Sequence, residues 1–188
     1  MSVNNIINFV GFQIVWFAAV LGAANAMPWT GVIAILIWLA VHLSVHRKQL
    51  IQEVGLIIFA ALLGYSLDSI LVLLNAIQFP EHAQLGYPST LWMVALWINF
   101  ATTIRHSLSW LNHRYFLMTF VGGVSGALAY WAGVQLGALL FNDTVIALFS
   151  IFSMWFFALP LLYVFSNRFF TFQKTHNHSV SLQGGTST

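Results

Sequence analysis

The chain has 188 residues, of which 60% are hydrophobic and only 5% are Asp, Glu, Lys or Arg. A soluble domain carries about a quarter charged residues, so a water-facing globule is excluded, and a net charge of +2 without a dense basic patch excludes a nucleic-acid surface. The absence of cysteine removes disulfides, thiolate nucleophiles and sulfur-ligated metal sites.

Long apolar runs in a chain of this length read as an all-α, polytopic membrane helix bundle. The expectation is six transmembrane helices within residues 1–172 and a polar, disordered tail at 173–188. The first helix is expected at about 6–24. Ala24-Asn25-Ala26 has the small-residue pattern of a leader-cleavage site, but MSVNNII at residues 1–7 has no Lys or Arg, so this helix reads as retained. A turn at Asn25 to Pro28 opens the second helix, at about 29–45, because proline suits a helix start. His46 to Gln49 separates it from the third, at about 51–77, which is long enough to be tilted or interrupted near Gly64. A polar loop at 78–88 precedes the fourth helix, at about 89–108. The fifth is placed at about 115–139 and the sixth at about 144–165.

Charge supports this count. Arg47 and Lys48, Arg105 and Arg114, and Arg168 and Lys174 fall on one side when spans alternate, while Glu81 and Asp143 fall on the other. That is the pattern of a basic cytoplasmic face with both termini inside. Trp29, Tyr87, Trp92, Trp110, Tyr115 and Phe169 lie near the expected interfaces, where amphipathic rings belong. Trp38, Trp97 and Trp155 lie deeper.

Two helices carry polar stripes. In the third, Tyr65, Asp68, Val72 and Asn75 are spaced three, four and three apart and share a face. Asp68 lies roughly 10 Å from the outer helix end at ~1.5 Å per residue. A carboxylate at that depth costs several kcal/mol unless protonated, paired or hydrated, so it should face inward, with Tyr65 and Ser69 as nearby donors. In the fourth, Trp92, Ala95, Asn99, Thr102, His106 and Ser109 form a second stripe, and NFATTIRHSLSW is the most chemically dense stretch. Asp68 and Arg105 are expected to lie roughly 15–20 Å apart along the bundle, too far for an ion pair. The ligand-binding or polar-core candidates are therefore Tyr65, Asp68, Asn75, Asn99, Thr102, Arg105 and His106, with a cavity connecting Asp68 and Asn99.

The fifth helix carries Gly122, Gly126, Gly133 and Gly137 in pairs four apart, a spacing that lets another helix approach closely. His42, His46, His106 and His113 should lie near one plane and raise a metal-site hypothesis. Without an accompanying Glu-rich motif they read instead as interfacial or packing residues, and no metal or cofactor is expected. His176 and His178 sit in the tail. No nucleotide-binding or nucleophile-elbow motif occurs.

The Asn-rich start, the Asp-containing third helix and YPSTLWMVALWINFATTIRHSLSWL resemble the bacterial inner-membrane family called domain of unknown function 2878, over about residues 4–170. The resemblance implies a multi-pass bacterial inner-membrane protein and transfers no catalytic residue. Three functions stand open: binding or transport of a small hydrophobic or amphipathic solute, lipid modification using Asn99, Arg105 and His106, or an accessory role in a membrane complex. The expected partners are membrane lipids and a second copy or another membrane protein.

Overall fold

The computed structural model describes residues 3–184, with side chains described as far as Phe169. It contains six helices: α1 (Val3–Ala24), α2 (Trp29–Val45), α3 (Leu50–Leu73), α4 (Leu91–Ile104), α5 (Tyr115–Gln135) and α6 (Thr144–Gly184). The expected tail at 173–188 lies outside the residues whose side chains are described. α2 begins directly after Pro28. α3 passes through Gly64 without interruption.

Four of these helices are long and apolar enough to cross a membrane; α2 and α4 are shorter apolar helices. With 14 residues, α4 is about 21 Å long, less than the ~30 Å of a hydrocarbon core. It is also the most enclosed helix. It packs against α1, α2 and α3 and touches α6, while α5 packs on α6 and α6 on α3. The outer faces carry exposed Ile14, Leu36, Leu62, Phe116, Phe149 and Phe157, which suits lipid rather than water.

The connections divide between two ends. At one end, β1 (Ile77–Gln78), in the α3–α4 loop, pairs antiparallel with β2 (Leu140–Phe141), in the α5–α6 loop, with Ile77 opposite Phe141. At the other end lie the 3-10 turns Arg47–Gln49 and Ser109–Leu111. The described basic residues cluster there, at Arg47, Lys48, Arg105, Arg114 and Arg168; Asn167 Nδ2 donates to Asn112 Oδ1 at 2.9 Å and so pins α6 to that end.

α1, α3 and α5 all finish in the same way. Ala26, Asn75 and Gly137 each have positive φ. The next residue's N–H then returns to the helix: Met27 to Gly22 O at 2.7 Å, Ala76 to Leu71 O at 2.9 Å, and Ala138 to Gly133 O at 2.9 Å. This is the Schellman arrangement, which satisfies carbonyls that a helix end leaves open. It corrects two expectations. Asn75 is an exposed helix terminator rather than part of an inward stripe. Gly137 is a cap rather than a packing residue, since a Cβ there would meet nothing within 4 Å.

The other three glycines are packing positions. A Cβ at Gly122 would lie 2.7 Å from Trp155 O on α6, and one at Gly126 would lie 2.3 Å from the Trp155 ring. At Gly133 it would meet Leu139 at 2.8 Å, so that glycine accommodates the chain folding back after α5.

The two roles separate experimentally. Gly137→Asn should unfold within a few degrees of the parent in detergent, because Asn accepts positive φ. Gly126→Asn should lose about 1–3 kcal/mol or more by overpacking against Trp155. Thermal unfolding followed by circular dichroism reads both.

Candidate functional site

Asp68 is fully enclosed. Trp97 Nε1 donates to its Oδ2 at 2.9 Å and the Tyr130 hydroxyl donates to its Oδ1. The expected donors are not used: exposed Tyr65 donates to Tyr87 O at 3.1 Å, and Ser69 Oγ is buried without a hydrogen-bond partner among the described residues. The donors come from α4 and α5 because glycine clears their way. A Cβ at Gly64 would lie 2.0 Å from Trp97 Cγ, so Trp97 crosses α3 at that glycine, one turn before Asp68. Trp97 also stacks on Trp155, with centroids 4.3 Å apart and planes at 6°. Trp155 in turn occupies the gap left by Gly126, one turn before Tyr130. One carboxylate thereby ties α3 to α4 and α5, with α6 stacked behind.

Asn99 and Thr102 fasten α4 to its other neighbours. Asn99 Nδ2 donates to Phe12 O on α1 at 2.9 Å. Thr102 Oγ1 donates to Asn99 O at 2.7 Å and accepts from Trp38 Nε1 of α2 at 3.2 Å. Asn8, which sequence reasoning passed over, donates to Thr102 O at 3.0 Å and accepts from the Ser107 hydroxyl at 2.7 Å. These bonds join buried backbone and side-chain groups that lipid could not satisfy.

A second buried carboxylate was also missed. Glu53, 1% exposed, lies near the start of α3. His42 Nε2 is 3.2 Å from Glu53 Oε2, and His106 Nε2 is 3.2 Å from Oε1. Arg105 reaches Oε1 at 3.8 Å and donates to Gln49 Oε1 at 3.0 Å. The His46 ring lies against both imidazoles, with centroids 4.7 Å from His42 and 4.0 Å from His106. Burial, then the neighbouring His106 and His42, hold His46 below the ordinary imidazole pKa. His113 is exposed in a different turn. Three of the four imidazoles singled out in the sequence thus converge, and the residue that gathers them is Glu53. Its signal was its depth: it sits a turn inside α3, level with the end of antiparallel α4 that carries Arg105 and His106.

A crevice of about 490 Å³ runs between α1 and α5. Phe12 and Trp16 of α1 form one wall, Ser125 and Ala129 of α5 the other, and Leu96 and Phe100 of α4 the floor. It extends from Ser107 and Leu111 at the basic end to Trp92 and Leu139 at the opposite end. Its lining is almost wholly apolar. Tyr130 and Trp97 form part of it, but neither Asp68 nor Asn99 does, so this crevice does not connect those two residues, and aromatic rings screen Asp68 from it. Arg105 and His106 do not line it either.

Apolar outer faces and membrane-length helices define an integral membrane helix bundle. The model of the family described as protein of unknown function (DUF2878) matches residues 5–161, and the chain belongs to that family. No curated protein and no solved structure matches it.

The Asp68 arrangement yields a coupling test. Tyr130→Phe should lose about 1–3 kcal/mol, because one carboxylate oxygen loses its donor inside the protein. Asp68→Asn should fold but be less stable, since its Nδ2 donates rather than accepts and leaves one of the two former donors facing it without an acceptor. The double variant should be less destabilised than the sum by at least about 0.5 kcal/mol. Unfolding of the four proteins in one detergent measures this, and strict additivity would disprove the coupling.

Proposed function

We propose that this is a six-pass bacterial inner-membrane protein, with both termini cytoplasmic, that binds an amphipathic, lipid-like molecule in the crevice between α1 and α5. The observation that carries the reading is the apolar crevice of about 490 Å³ running along membrane-length helices. A volume of this size suits one small ligand. The few polar groups in its lining, among them Gln13, Thr103, Ser107 and Ser125, are enough to orient a headgroup but do not form a charged path. An apolar chain would therefore supply most of the contact.

Segregation of the basic residues to one end of the bundle supports the topology. Enclosure of α4 supports counting it as a span despite its length, since a helix covered by neighbours need not match the bilayer by itself. The lipid-modifying alternative is less favoured because Arg105 and His106 face Glu53 instead of the crevice.

Purification in mild detergent followed by native mass spectrometry tests the reading. The parent should retain a lipid or bind an added long-chain amphiphile. Ala129→Trp, which fills the crevice, should weaken that binding by about tenfold or more, or about 1.4 kcal/mol, while circular dichroism stays that of the parent. Equal ligand retention by a folded Ala129→Trp variant would refute binding at this place.

A further inference from the structure

The geometry points to a divalent transition-metal site formed by His42, His46 and His106, with Glu53 as the carboxylate that orients the His42 and His106 rings. One ligand nitrogen from each histidine lies within 4.8 Å of those of the other two. The three come from two places in the fold. His42 is on α2, His46 ends that helix, and His106 follows α4. Residues four apart on a helix share a face, so His42 and His46 form one pair and antiparallel α4 supplies the third ring.

Two further features fit a metal better than packing. First, the rings touch each other around a single carboxylate, with His42 and His106 centroids 5.1 Å apart. A neutral imidazole has one N–H and one lone pair. Among the described residues, the hydrogen bonds of these rings go only to Glu53, through Nε2 of His42 and His106. Second, a carboxylate holding the N–H of a metal-bound histidine is the common outer-shell arrangement, fixing the tautomer and making the ring a better donor. Imidazole donors with one carboxylate suit zinc and its first-row neighbours rather than calcium or magnesium, which prefer oxygen. Arg105, 3.8 Å from Glu53 Oε1, opposes a cation and makes this a weaker site than an all-histidine site without such a charge. The cluster belongs to the basic end and is separate from the crevice lining.

The test uses tag-free, full-length protein carrying His176→Ala and His178→Ala, so that tail imidazoles cannot contribute. After chelator treatment it is titrated with Co²⁺ in detergent, with visible d–d absorption as the readout, and the bound ion is then displaced with Zn²⁺. The expected result is one Co²⁺ per chain, with affinity reduced at least about tenfold by His46→Ala. That variant leaves the Glu53 contacts to His42 and His106 in place, so its metal-free melting temperature should match the parent's. Zn²⁺ should raise the melting temperature of the parent but not of the variant. His46→Gln, which keeps the side-chain bulk, replaces it if His46→Ala does not fold. Absence of a d–d band, or equal binding in the folded variant, would overturn the site. Lipid retention is a separate readout, so either proposal can fail alone.

Discussion

A carboxylate inside a membrane protein must find donors within the protein, because lipid supplies none. Asp68 meets that constraint through Trp97 of α4 and Tyr130 of α5. The two donors arrive from different helices, so the bonds fix the separation and rotation of three helices at once. Gly64 and Gly126 are small because Trp97 and Trp155 fill the space beside them. In this arrangement the polar bonds give direction, the stacked indoles give contact area, and the glycines allow both. Hydrophobic burial alone drives little association in lipid, which makes such bonds the determinants of how the bundle is assembled.

Along α3 a second carboxylate meets a different environment. Glu53 lies 15 positions before Asp68, roughly 22 Å along the helix. Asp68 is held by neutral donors behind aromatic rings, whereas Glu53 is surrounded by His42, His106 and Arg105. The first is a structural anchor whose surroundings are fixed by neutral groups. The second sits among imidazole and guanidinium side chains. α4 serves both: its middle carries Trp97, and the turn after its end carries Arg105 and His106. The same helix forms the floor of the crevice, so it adjoins both carboxylates and the crevice.

Much of this was legible in the sequence. Apolar runs and Pro28 placed six helices close to where they stand, because apolar helices are written in composition and length, and four of the six are long enough to cross a membrane. Of the stripe Trp92, Ala95, Asn99, Thr102, His106 and Ser109, the four residues within α4 are buried, while beyond the helix end His106 is half-buried and Ser109 is exposed: polar groups in the middle of an apolar helix have few places to go. Partners were not legible. Tyr65 seemed a good donor to Asp68 because it is three residues away, yet it faces outward, and the real donors are 29 and 62 positions distant. Gly137 shared the spacing of the packing glycines, but its φ of 86° gives it a different task. Glu53 was overlooked because proximity to a helix end suggested solvent, while enclosure there depends on how α2 and α4 converge.

The three matching helix caps make the two faces of the bundle chemically unequal. At the face where α1, α3 and α5 end, carbonyls are satisfied by the chain's own N–H groups at Met27, Ala76 and Ala138. Such bonds are indifferent to protons and dissolved ions. At the opposite face the chain turns through imidazole, guanidinium and carboxylate side chains, whose bonds depend on charge. The ends of α1, α3 and α5 are thus closed by backbone alone, whereas the opposite face is closed in part by side chains.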